Sequence, residues 1–151
     1  MTSDTPATAV LGLLQGISMV LAEDLAEFAE REGMTPARVH LLWALGEEGA
    51  MPSHRLAKRL DVTPRTVTGL VDRLAESGHV TRSAHPDDRR STLVTPTKKG
   101  DAFTARLQAM QDELLRDLFT DFPAERLEPL RIDLTRLFER MQELVAAAKQ
   151  H

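Results

Sequence analysis

Residues 53–74, SHRLAKRLDVTPRTVTGLVDRL, constrain the fold more than any other stretch. Two short amphipathic helical patterns lie here with a tight turn between them. Leu56 and Leu60 stand one turn apart in the first, and Val67, Leu70, Val71 and Leu74 share one face of the second. Asp61 falls where such a turn needs positive φ, which Gly adopts most easily and Asn or Asp tolerate. Thr63 suits the N-cap of the second helix, and Pro64 suits its first position. Ala57 is small where two helices must cross closely, and Val67 fills the matching place. These features predict a helix-turn-helix of the kind that reads DNA.

The next residues extend that pattern. Residues 79–84 (HVTRSA) and 91–95 (STLVT) are rich in Val, Thr and Leu and read as strands. They flank HPDDRR at 85–90, a polar loop with a turn-forming Pro-Asp. A helix-turn-helix followed by a hairpin with a basic tip predicts a winged helix.

A net charge of −4 fits a duplex-binding surface only once its distribution is read. Residues 51–100 hold ten Lys/Arg and five Asp/Glu, a surplus of five, whereas the remainder holds nine against eighteen. Positive charge is thus concentrated on the segment expected to meet phosphates. Cysteine is absent, which excludes disulfides, thiolate metal sites and cysteine-based redox sensing. The histidines (His40, His54, His79, His85, His151) form no i, i+4 pair. No phosphate-binding glycine loop, nucleophile motif or acid/base cluster is present. The chain is therefore expected to be no enzyme and to need no metal or cofactor. The N-terminus lacks a basic region, and no uncharged apolar run reads as long enough to span a bilayer. A cytoplasmic protein without a membrane partner is expected.

Long helical patterns flank the central segment. Residues 1–6 are polar and expected to fray. From 7 to 32 a stripe of Val10, Leu14, Ile17, Leu21, Leu25 and Phe28 steps by four or three residues. Thr35 and Pro36 open a helix over 37–48, which Gly49 ends, and Pro52 opens the first helix of the reading unit. Gly78 suits a C-terminal cap. Thr97 suits the cap of a helix running to about residue 122, and Pro123 precedes a last one over 124–149. In that last helix Leu130, Leu134, Leu137, Met141 and Leu144 approach heptad spacing. A winged helix needs only the middle of the chain for its core, so the apolar faces at both ends need another surface. A second copy of the chain is the expected one, and a monomeric helical bundle is the alternative.

Residues 70–82, LVDRLAESGHVTR, followed by Asp88-Arg89-Arg90-Ser91, Val94 and Thr97-Lys98-Lys99-Gly100, resemble the MarR family of transcriptional regulators. The resemblance covers nearly the whole chain. The family pattern is an LVDRLExxGLVxR run, a DRR wing and an LTxxG helix start. Pro96 stands where the family usually has Leu, and Asp61 where Gly is common. The resemblance implies a mainly α fold with a small β wing. In it a winged helix-turn-helix (36–96) lies between an N-terminal dimerisation helix (1–35) and C-terminal dimerisation helices (97–151). It further implies a homodimer that reads a palindromic operator and is released by small, often aromatic, anions. The expected function is a sequence-specific repressor; the alternative is a winged-helix adaptor that docks protein without reading DNA.

Arg65, Thr66 and Thr68, in the first turns of the second reading helix, are the candidates for base edges, with phosphate contact the alternative. Thr63 at the helix start is a phosphate candidate. Ser53 and His54, opening the preceding helix, are weaker ones. Arg73 suits a phosphate, with an ion pair to Glu76 or Asp72 as the competing reading. Arg89 and Arg90 occupy the wing tip, where an inserted Arg gains from a narrow minor groove. Similarity to the family points to Arg90, with Asp88 holding its orientation, against the plain reading of solvated ion pairs. By analogy a ligand site would lie near Arg38, His40 and Trp43. Their ordinary readings are a surface charge, a partly exposed histidine and a core tryptophan.

Overall fold

The computed structural model describes residues 5–88 and 90–149. Among them are six helices, α1 (Pro6–Arg31), α2 (Pro36–Glu48), α3 (Ser53–Leu60), α4 (Pro64–Glu76), α5 (Lys98–Phe119) and α6 (Ala124–Ala148). Three strands, β1 (Met51–Pro52), β2 (Val80–Ala84) and β3 (Thr92–Pro96), complete the fold. The chain divides into two compact units, residues 1–107 and 108–151.

Three helices start the same way. Thr5, Thr35 and Thr63 take extended backbone angles, each is followed by Pro, and each side chain accepts a hydrogen bond from the amide three residues on. Hydroxyl and proline together deal with amides that have no partner inside the helix. Thr5 and Pro6 therefore begin α1, where the sequence suggested fraying; residues 1–4 lie outside the described residues. The ends of α1, α3 and α4 also share one device. Gly33, Asp61 and Gly78 sit at positive φ (65°, 51° and 77°). The next amide in each case returns to a carbonyl five residues back: Met34 to Ala29, Val62 to Ala57 and His79 to Leu74.

In the first unit α2 lies at the centre, with Val39, Leu41, Leu42, Ala44 and Leu45 all buried. Leu56 and Ala57 of α3, Val67, Val71 and Leu74 of α4, and Val94 of β3 close on the same core. Phe28 of α1 and Phe103 of α5 complete it, meeting edge to face at 5.5 Å. The sheet is antiparallel in the order β1-β3-β2, with Val80 opposite Pro96 and Ala84 opposite Thr92. Strand β1 is a correction to the expectation that Pro52 simply opens a helix. Met51 and Pro52 pair with Val94 and Leu93 before α3 begins. Proline is tolerated there because β1 is an edge strand.

One close approach locks α4, the wing and α5 together. Three consecutive carbonyls at the end of α4 are met from residues 97–99. The Lys99 ammonium donates to Ser77 O at 2.8 Å, the Thr97 hydroxyl to Gly78 O at 2.6 Å, and the Thr97 amide to His79 O at 3.0 Å. Gly100 is buried against the same backbone, and a Cβ there would lie 2.3 Å from His79 O.

In the second unit the end of α5 turns into α6 through 120–123. Phe119 and Phe122 pack edge to face at 5.8 Å, and the Thr120 hydroxyl donates to Arg116 O. Pro129 is accommodated inside α6, whose outer surface carries the i,i+3 ion pairs Glu128–Arg131 and Glu143–Arg140. No described residue of α6 is buried, and Leu134, Leu137, Phe138, Met141 and Leu144 are all exposed. In the first unit, α1 likewise exposes Val10, Leu13, Ile17, Met19 and Val20.

Helix α1 corrects a further expectation. Residues 5–22 carry no charge, and an 18-residue window of the helix has a mean hydropathy of 1.5. By length and composition alone it is long and apolar enough to cross a membrane. Thr8, Gln15 and Ser18 interrupt that run, and the other end of the helix is anchored in the core by Phe28 and Ala29.

The contact at Gly100 gives a direct test. Gly100→Ala gains helix propensity but drives a methyl group into backbone, so we expect a net loss of about 3 kcal/mol, the upper end for overpacking. Urea denaturation measures it, and a variant as stable as the parent would contradict this packing.

Candidate nucleic-acid interface

The geometry of α3 and α4 follows from their burial. Ala57 of α3, 6% exposed, and Val67 of α4, fully buried, are the residues expected where the two helices cross, and both are withdrawn from solvent. Asp61 takes φ 51°, ψ 46°, the left-handed turn expected from its position. With Val67, Val71 and Leu74 turned inward, helical periodicity leaves Arg65, Thr66, Thr68, Gly69 and Arg73 in solvent. The Thr63 hydroxyl accepts from the Thr66 amide at 3.1 Å and lies 2.9 Å from the Thr66 hydroxyl. Thr68 donates to Pro64 O at 3.0 Å, which orients its hydroxyl along the helix. The start of α4 therefore presents one guanidinium and three ordered threonine hydroxyls.

The wing is built around Asp88. Its side chain accepts from the Arg90 amide at 3.0 Å, while its carbonyl accepts from the Ser91 amide at 2.9 Å. His85 closes the loop, its amide donating to Ser91 O at 2.9 Å. Asp88 thus fixes the backbone at Arg90, whose side chain is exposed. Arg89 lies outside the described residues. The base of the wing touches α3, where the Ser53 hydroxyl donates to Thr92 O at 3.3 Å and His54 Nδ1 approaches the Ser91 hydroxyl at 3.5 Å. A 2.5 Å ion pair between Asp72 and Arg82 ties α4 to β2.

Several of the cations counted in the sequence are already engaged. Arg73 pairs with Glu76 at 3.2 Å, the alternative raised for it above. Arg55 pairs with Glu48, and Arg59 with both Glu47 and Glu48, at 2.8–3.0 Å. Those two acids close α2, just outside the segment over which the surplus was counted, and including them reduces it from five to three. Among the described residues of this segment Lys58, Arg65, Arg90, Lys98 and Lys99 have no ion-pair partner, which leaves cations on α3, on α4, at the wing and at the start of α5.

The residues proposed for a ligand are less coherent. His40 is exposed, Arg38 is half-buried with its Nε donating to the Thr35 hydroxyl at 3.3 Å, and Trp43 is half-buried. Trp43 is not a core residue as its neighbours suggested. The inward face of α2 is taken by Val39, Leu42 and Leu45, and the indole lies at its edge.

Gly69 was not singled out from the sequence. It stands mid-helix on the outward face of α4, and a Cβ there would meet nothing within 4 Å. No packing inside the chain explains a residue that costs a helix about 1 kcal/mol relative to Ala. The signal was available: a glycine in an amphipathic pattern at a position that is neither cap nor crossing.

Comparison with known proteins bears on this surface. A family model described as the MarR family matches residues 34–92. The HTH-type transcriptional repressor MdtR of Bacillus subtilis is 31% identical over 88 residues, covering 58% of this chain and 57% of that protein, so the match spans little more than half of the relative. The uncharacterized HTH-type transcriptional regulator ML2140 of Mycobacterium leprae is 33% identical over 103 residues, 68% of this chain and 72% of the relative. Among solved structures, the MepR–DNA complex of S. aureus superposes with a TM-score of 0.70 at 22% identity, covering 85% of this chain and 95% of that one. That likeness shows the fold.

Because the space around Gly69 is open, Gly69→Ala should stabilise the isolated protein by about 0.5–1 kcal/mol. A thermal melt that drops for this variant would show a packing role absent from the structure.

Proposed function

The chain belongs to the MarR family of winged-helix transcriptional regulators, and on that premise we propose that it is a repressor binding a palindromic operator as a homodimer. The observation that carries the reading is the outward face of α4, where Arg65, Thr66 and Thr68 project from a helix buried through Val67, Val71 and Leu74. A guanidinium at this point offers a bidentate contact to guanine, and the threonines offer hydroxyl or methyl contact to neighbouring bases. Thr63 and the amides of the first turn meet a phosphate. Ser53 and His54 flank that contact, and Arg73 remains available at the price of its exposed pair with Glu76. Arg90, with its backbone set by Asp88, reaches for the minor groove, and Arg89 stands beside it in the sequence.

The second copy is supported by two separate surfaces. Helix α1 leaves an uncharged apolar run in water, and α6 leaves a stripe of Leu, Met and Phe in water. Exposed apolar surface on this scale is rare in monomers. The helices at 1–35 and 97–151 therefore act as dimerisation segments around a reading unit at 36–96. A two-fold pair of reading helices requires a two-fold site. Release by a small aromatic or anionic ligand belongs to the same reading, with the half-buried Arg38 and Trp43 and the exposed His40 as its candidate contacts.

The decisive experiment is selection of bound duplexes from random DNA, followed by affinity measured against salt. A palindromic site with half-sites about one helical turn apart, and log K falling by about 0.9 per phosphate neutralised, supports the reading. A protein that ignores every duplex would instead be an adaptor. On the selected site, Arg65→Ala is expected to cost about 1–3 kcal/mol and to relax preference at one base position. Arg90→Ala should weaken binding while leaving the dimer intact. Phe138→Glu, on the exposed stripe of α6, should yield a monomer in sedimentation at micromolar concentration, and an unchanged dimer would remove α6 from the interface.

A further inference from the structure

His79 is the one buried polar side chain among the described residues, 7% exposed, and the family pattern has Leu at its position. It sits where α4 ends and β2 begins, within the backbone joint held by Thr97, Lys99 and Gly100. The Ser77 hydroxyl donates to Leu74 O at 3.2 Å, which leaves its oxygen to accept from His79 Nδ1–H at 2.8 Å. The ring stands edge-on to Phe103 at 5.9 Å, and Phe103 in turn packs against Phe28. Nε2 has no hydrogen-bond partner among the described residues, and since no buried side-chain nitrogen or oxygen among them lacks one, it is the atom of the ring that reaches solvent. The imidazole thus packs between the end of α4 and the first turns of α5, against Phe103 on one side and the Ser77 hydroxyl on the other.

Charge on that ring is disfavoured from several sides. Burial lowers its pKa below the ordinary 6.5, and the cations Lys99 and Arg106 of α5 and Arg38 of α2 lower it further. Only Glu32, at the end of α1, acts the other way. Glu32 is itself held by Arg106 in a two-point contact at 2.6 and 3.3 Å, so little of its charge is left for the imidazole. Arg106 also lies over the Phe103 ring at 5.7 Å. Arg106 and Glu32 largely offset each other as a pair, so a proton on His79 would add a cation chiefly beside Lys99 and Arg38, at a mostly buried position.

We propose that His79 is a positioning residue for DNA binding that acts only when neutral: uncharged, it holds α4, the wing and α5 in one arrangement, and charged, it loosens that joint and lowers affinity for duplex DNA. The proposal rests on the DNA-binding reading above. Its sign follows from linkage. Where the folded pKa lies below the unfolded value, the unfolded or loosened state binds the proton first. The contribution of His79 is therefore complete above about pH 6.5 and is lost as pH falls from there toward the folded pKa. Reciprocally, bound duplex should lower the pKa of the ring further.

The test uses a duplex selected by the protein at pH 7.5, with affinity followed by fluorescence anisotropy from pH 7.5 to 5.5 at fixed ionic strength. Wild type should lose affinity relative to His79→Leu as pH falls, with a slope of at most about a hundredfold per pH unit, the limit for two linked protons, one on the His79 of each copy in the dimer. His79→Gln, which keeps a donor for Ser77, should follow His79→Leu. Comparing slopes cancels every contribution that all three proteins share. Should either variant fold poorly, NMR titration of the wild-type His79 ring with and without duplex reads the same coupling. Superimposable pH profiles, or a ring that titrates identically in both states, would overturn the proposal alone. Failure of wild type to bind any duplex at pH 7.5 would instead overturn the DNA-binding reading beneath it.

Discussion

The carbonyls of Ser77, Gly78 and His79, at the C-terminal end of α4, are each met by a donor from residues 97–99. The carbonyls of Arg73, Leu74 and Ala75 in α4 are met by the amides of residues 77–79, and the three oxygens that follow the helix need partners of their own. Here the donors come from the far side of the wing hairpin, so satisfying the turn after α4 also fixes where the hairpin returns and where α5 departs. Gly100 allows the approach, since any side chain would collide with the carbonyl of His79. The orientation of α4 relative to the wing is thus set by backbone hydrogen bonds and one steric limit, with the Asp72–Arg82 pair as an outer brace.

The proposed reading surface, mounted on this joint, needs few residues of its own. The amphipathic pattern of α4 buries its hydrophobic side and leaves Arg65, Thr66 and Thr68 outward, while threonine caps and Asp88 order the backbone around them. The paired carboxylates closing α2 act on the cations of α3, where Arg55 and Arg59 are oriented by Glu47 and Glu48. Such exposed pairs contribute little to stability. Their effect is on the electrostatic surface, which is less positive than a count of lysines and arginines suggests.

Much of the architecture was legible in the sequence because it is specified locally. Thr-Pro pairs mark helix starts, Gly33, Asp61 and Gly78 mark helix ends, and apolar spacing marks which faces are buried. The strands of the wing fell within a residue or so of their observed bounds. What was not legible depends on contacts distant in the chain. β1 is two residues long and exists only because Val94 and Leu93 lie beside it. His79 looks like a surface residue until Phe103 and the turn at 77–79 enclose it. Trp43 looked like core because of its neighbours, yet α2 had already filled its inner face with aliphatic side chains. The uncharged run in α1 was passed over because its threonine, glutamine, serine and glycine residues disguise its mean hydropathy. For the site, helix phase placed Arg65, Thr66 and Thr68, but ion pairing of Arg55, Arg59 and Arg73 is a tertiary fact that a charge count does not contain.

The clasp of Glu47 and Glu48 on the arginines of α3 has a kinetic consequence. A protein seeking one address on a chromosome spends most of its time on wrong sequence, held there by phosphate attraction alone. On the proposed function, partial cancellation of that attraction would shorten each unproductive stop while leaving the groove contacts proposed for α4 intact. Traffic along the genome would then speed up, and discrimination would pass to the few side chains proposed to touch bases.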